Sequence, residues 1–112
     1  MGRVEYEIEI YVLESGKAPF ESWLKSLERN IQNRIMARLD RVQLGNFGDH
    51  KIVGKGVSEL RFFFGSGYRV YYGVDDGKIV LLLTGGDKKS QNKDITQAQD
   101  YWKNYLEDKD NG

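Results

Sequence analysis

Arg61 and Arg69 stand eight residues apart in a stretch crowded with aromatic side chains. Between them lies Phe63, and Tyr71 follows two residues after the second arginine. If this run folds as a hairpin, side-chain alternation puts Arg61, Phe63, Arg69 and Tyr71 on one face of a sheet, with Glu59, Leu82 and Thr84 beside them. A guanidinium clamps a phosphate through paired N–H donors, and a neighbouring ring gives a base something to stack on. On an uncovered sheet that combination suits RNA. Four lysines extend the basic set. Lys88 and Lys89 come directly after the next strand, and Lys51 and Lys55 come before the strand of Arg61. The same pattern also arises where arginine and tyrosine merely pair across strands and solubilise a sheet.

Other chemistries are narrower. The chain has 112 residues, no cysteine and one histidine, His50. Disulfides, thiolate metal sites and cysteine nucleophiles are excluded, and a multi-histidine zinc site cannot be built. A serine triad would have to use His50. The longest apolar run, Ile79 to Leu83, is too short to span a bilayer. Met1 to Glu5 carries no apolar signal region. A cytoplasmic protein without a membrane partner is expected.

Lys+Arg and Asp+Glu each number 17, so the net charge is zero. The zero is a sum of opposed regions. Residues 1–28 carry 3 basic and 6 acidic side chains, residues 29–73 carry 8 and 3, and residues 74–112 carry 6 and 8. The basic middle is where the arginines lie. Within it Arg34, Arg38 and Arg41 form a stripe at helical spacing, which reads first as a solvated helix face and second as a ribosomal RNA contact.

These residues need elements to hold them. Residues 4–12 alternate apolar and acidic, as a half-buried strand does. Pro19 opens an amphipathic helix over 19–28 carrying Phe20, Trp23, Leu24 and Leu27. Asn30 is placed to cap a second helix, with Ile31, Ile35, Leu39 and Val42 as its stripe and Gly45 as its end. A glycine-rich loop is expected over 46–56. Strands follow at about 58–64, 68–75 and 78–84, joined by Gly65-Ser66-Gly67 and by Asp76-Gly77, a two-residue hairpin signal. Asp94 resembles the cap of a last helix striped by Ile95, Ala98, Trp102 and Tyr105, and 107–112 reads as a frayed tail. The expectation is one domain over 1–112 with order β-α-α-β-β-β-α. It is an α+β fold with a mostly antiparallel four-stranded sheet and its helices packed on one face. The turns predict that 72 meets 81, 71 meets 82 and 69 meets 84, and that 61 meets 71. The helix-covered face would then hold Leu60, Val70, Tyr72, Leu81 and Leu83.

Glu59-Leu60-Arg61 and Gly65-Ser66-Gly67-Tyr68-Arg69-Val70-Tyr71-Tyr72, followed by Ile79 to Gln91 with its Gly85-Gly86-Asp87-Lys88-Lys89 and then by Asp94-Ile95, resemble the RelE/ParE superfamily of bacterial toxins. The nearest branch is the HigB-like addiction-module killer proteins, and Pro19 to Leu24 and Arg34 to Val42 fit it too. The resemblance covers residues 4 to about 106. It implies the toxin of a type II toxin–antitoxin system, paired with a helix-turn-helix, HigA-like antitoxin. It further implies a ribosome-dependent endoribonuclease (an mRNA interferase) needing no metal or other cofactor, with ribosome and mRNA as partners. In that chemistry a 2′-hydroxyl attacks the adjacent phosphate, leaving a 2′,3′-cyclic phosphate and a 5′-hydroxyl. The reaction asks for a base, a cationic clamp and an acid. Carried over, the resemblance makes Arg61 and Arg69 the clamp and Lys88 the acid or a further clamp, with Lys89 second. Lys55 or Lys51 is the base, and Tyr71 a base-orienting or stacking residue. The RelE-type tyrosine after the last strand is missing here, where Ser90-Gln91-Asn92-Lys93 stand. The alternatives are a ParE-like gyrase inhibitor without nuclease activity, or a degenerate toxin that only binds antitoxin.

Overall fold

The computed structural model describes residues 5–111. Met1 to Val4, which include the first residue of the expected strand, and Gly112, the last of the expected tail, lie outside them. The elements run β1 (Glu7–Ile10), α1 (Pro19–Lys25), α2 (Arg29–Gln43), β2 (His50–Gly54), β3 (Val57–Arg61), β4 (Arg69–Asp75), β5 (Ile79–Gly86) and α3 (Gln91–Asn111). They build a five-stranded sheet in the order β1-β5-β4-β3-β2, antiparallel except for the parallel pair β1–β5. The α+β class is the expected one. The fifth strand, β2, lies inside the predicted glycine-rich loop. His50 to Gly54 has no alternation to announce it; pairing with β3 makes it a strand.

The expectation that all helices cover one face is corrected. Helices α1 and α2 bury Phe20, Ile35, Leu39 and Val42 against Leu60, Val70, Tyr72, Val80 and Leu82. Helix α3 lies on the opposite face, burying Ala98 and Trp102 against Val57, Tyr71, Leu81 and Leu83. Leu81 and Leu83 have therefore changed sides. The β4–β5 turn is one residue longer than predicted, pairing Asp75 with Ile79, and a bulge then moves Tyr71 opposite Thr84. An odd shift exchanges the faces of a strand. The β3–β4 register moves by two, so Arg61 meets Arg69 and Glu59 meets Tyr71. An even shift keeps the faces, and the arginines stay together. The sheet also accommodates the helices by close approach: a Cβ at Gly85 would strike the Trp23 ring.

The C-terminal segment is helical to Asn111 rather than frayed. Tyr105 and Lys109 donate to the Asp75 carboxylate at 2.6 and 2.7 Å and anchor this end of α3 to β4. Lys109, and then Tyr105, hold the Asp75 carboxyl below its ordinary value of 3.8. A carboxyl depressed by folding stabilises the fold above its unfolded value, and that contribution fades as the pH falls through its folded one. Asp75→Asn should therefore lower stability at pH 7 by about 1–2 kcal/mol. In urea titrations the gap to the parent should narrow from about pH 5 downward. A gap that is unchanged at pH 3 would refute the anchor.

Candidate functional site

Arg69 opens β4 and Lys88 follows the end of β5, and the structure brings them together. They line a shallow concavity of about 370 Å³ with Phe63 and the Gly65-Ser66-Gly67 loop. The Lys88 amide donates to the Ser66 carbonyl at 3.4 Å, tying the two chain segments together at this point. Arg69 is only 9% exposed, and its Nε has no hydrogen-bond partner. A buried cationic donor without a partner is costly. Arg69 borders the concavity, while its Nε is covered by protein. Phe63 is the counterpart on the apolar side. Its ring is 81% exposed, the most exposed large hydrophobic residue among those described.

Arg61, directly across from Arg69 in the ladder, occupies the next concavity. Its Nε and Nη2 donate to the two Asp49 oxygens, each at 3.0 Å. This fork pre-sets the guanidinium and leaves its remaining N–H groups to other acceptors. The same contact holds the Asp49 carboxyl below its ordinary value. Asp49 and its neighbours are held in turn by Arg38, which donates to the carbonyls of Phe47, Asp49 and Arg61 at 2.6–3.1 Å. No sequence pattern announced these two supports, because they act through main-chain carbonyls and across a loop.

The remaining candidates fall elsewhere. Lys51 is exposed on edge strand β2, opposite Glu59 and one same-face row from Arg61. Lys89 is exposed, its amide held by Asp87. Lys55 sits in the β2–β3 turn, at the other end of β3 from Arg61 and beside α3. His50 begins β2 opposite Leu60, close to Phe47.

Tyr71 is fully buried beneath α3, which corrects its reading as an exposed stacking surface. Burial, followed by the nearby Glu59 carboxylate, drives the Tyr71 hydroxyl far above its ordinary value. Glu59 is also fully buried and accepts from Gln91 Nε2 at 3.2 Å on both oxygens. Half of the predicted open face is thus a polar layer under the start of α3. The open half runs from Lys88 past Arg69 and Phe63 to Arg61. Another concavity, about 540 Å³ between β1 and the first two helices, is floored by Phe20, Leu39 and Leu82 and takes no part in this site.

Among the described residues no helix is long and apolar enough to cross a membrane. These features define a small α+β protein with a strip of cationic side chains along one end of its sheet and a protruding aromatic ring in the middle of it. A family model described as phage derived protein Gp49-like (DUF891) matches residues 22–103, and the chain belongs to that family. It is a family of toxins from toxin–antitoxin systems, so an antitoxin partner is implied. An uncharacterized protein of Haemophilus influenzae is 51% identical over 81 residues, covering 71% of this chain and 82% of its own. No solved structure matches the chain.

Proposed function

We propose that this toxin is a HigB-like member of the RelE/ParE superfamily. In this reading it is a metal-independent endoribonuclease that cuts mRNA presented by the ribosome and is neutralised by a helix-turn-helix, HigA-like antitoxin. One observation supports the reading: Arg69, buried with its Nε unpartnered, lines an open cavity together with Lys88 and an exposed phenyl ring.

The chemistry follows from the cations. The 2′-oxygen forms a bond to phosphorus while the bond from phosphorus to the 5′-oxygen breaks. The 2′-hydroxyl gives its proton to solvent water, and the leaving 5′-oxygen takes one from a cationic donor of the site. Negative charge grows on the non-bridging oxygens as the phosphorane forms. Arg69 answers that growth with planar donors, and Arg61, fixed by Asp49, contributes from the adjoining cavity. Lys88 supplies the proton to the leaving oxygen. Phe63 stacks on a base next to the cut. Lys51 and Lys89 hold flanking phosphates.

The test is primer extension on translated mRNA after induction. Cuts inside codons, with growth arrest, are expected. Intact mRNA with gyrase-dependent DNA breaks would overturn the nuclease and favour the ParE-like reading.

Lys55 gives a second prediction. Its φ of 55° lies in the left-handed region, which costs a lysine about 1 kcal/mol. Lys55→Gly should leave mRNA cutting within about twofold of the parent and stability equal or slightly higher. A large loss of cutting would restore Lys55 to the catalytic set.

A further inference from the structure

We infer that the concavity between α2 and the β3–β4 loop is a second nucleotide site, which takes the RNA strand after it crosses Phe63 from the Arg69–Lys88 cavity. The inference rests on the ribonuclease reading and extends the substrate path. The two concavities share Phe62 and Phe63, so a strand leaving one enters the other.

The second cavity, about 290 Å³, is lined by Arg34, Arg38, Arg41 and Arg61 against one acid, Asp49. Two of these arginines are anchored by the protein itself. Arg38 is spent on carbonyls and lies over the Phe62 ring at 4.8 Å, and Arg61 is paired with Asp49. Arg34 and Arg41 are exposed and form no ion pair among the described residues. Arg34 lies over the Phe64 ring with its guanidinium carbon 3.6 Å from the centroid. Stacking of this kind fixes a guanidinium and keeps its N–H edge free for a phosphate.

An exposed ring between two cationic cavities has a use if a base lies on it. Phe63 is 81% exposed, and the Arg61 guanidinium sits 5.9 Å from its centroid. A purely acidic peptide such as polyglutamate would pair with the arginines but carries no ring to lay on the phenyl face. A nucleotide uses both, so single-stranded RNA is the occupant the geometry favours.

The experiment uses the full chain and a fluorescent 12-nucleotide 2′-O-methyl RNA, which cannot be cut because it lacks the attacking hydroxyl. Binding is measured from about 50 to 200 mM salt. Arg34→Ala with Arg41→Ala should weaken binding about tenfold or more and flatten the slope of log K against log salt by about 1.4. Phe63→Ala should weaken binding at least fivefold and leave the slope unchanged. Arg34→Lys with Arg41→Lys should keep the slope, since the charge remains. Unchanged affinity and slope in the double alanine variant would overturn the inference. So would a double lysine variant that loses the slope, or competition by polyglutamate that depends on the arginines and not on Phe63. Cutting of translated mRNA is scored separately. Arginine-dependent binding without any cutting would refute the nuclease and leave the site standing; cutting with unaltered binding in the double alanine variant would do the reverse.

Discussion

Arg69→Ala should abolish growth arrest and reduce mRNA cutting by about 10²–10³-fold, the usual effect of removing one donor from an oxyanion-stabilising set. It should do so with little loss of stability. The Arg69 Nε is buried without a partner, so truncation breaks no hydrogen bond there. It also relieves repulsion with Lys88, which lines the same cavity. What is lost is the packing of the aliphatic stem, about 1 kcal/mol. Arg69→Lys keeps the charge and loses the fork, and should fall between parent and alanine variant. Activity is read by primer extension and stability by urea denaturation. A destabilisation above about 3 kcal/mol, or cutting at the parental rate, would remove Arg69 from the clamp. This split between activity and stability separates a strained binding group from a structural arginine such as Arg38, whose guanidinium is saturated by carbonyls.

Parity decided what could be read from sequence. Arg61 and Arg69 remain partners because the β3–β4 loop departs from its expected form by two residues of register, and side chains repeat every two. Leu81 and Leu83 moved because a single extra turn residue is an odd shift. The turn dipeptide Asp76-Gly77 marks a hairpin correctly but does not fix whether Lys78 belongs to the loop or the strand. Tyr71 and Glu59 were misplaced for another reason. Their face was taken as open, although Val57, Tyr71, Leu81 and Leu83 on that side are enough to floor a helix. The stripe of α3 needed an apolar partner, and the α1–α2 face was already filled. Lys88 lies near Arg69 because Gly85 and Gly86 end β5 there, and a β2–β3 hairpin turns Lys55 to the far end of β3.

Trp102→Ala should cost about 3–5 kcal/mol, a large share of the 5–15 kcal/mol that holds a domain of this size. The indole is 7% exposed and stacked on Tyr105 at 5.5 Å between centroids. It sits where β4 offers no side chain. A Cβ at Gly73 would overlap the six-membered ring, and one at Gly56 would stand 2.5 Å from the indole nitrogen. Gly73→Ala should therefore destabilise by about 1–3 kcal/mol through overpacking. The two losses should not add. With the indole gone, a methyl at position 73 enters the space it vacated, so the double variant should be about 1–3 kcal/mol more stable than the sum of single effects predicts. Urea midpoints for the four proteins give the coupling, and additivity within about 0.5 kcal/mol would refute the contact. The consequence reaches the site. Helix α3 is held by Trp102 in its middle, by Asp75 at one end and by Glu59 through Gln91 at the other. Its first turns cover Glu59 and Tyr71 on the strands that carry Arg61 and Arg69. Loosening the indole should thus expose α3 amides to hydrogen exchange before the sheet itself opens, with the Arg69 cavity losing its backing at the same time.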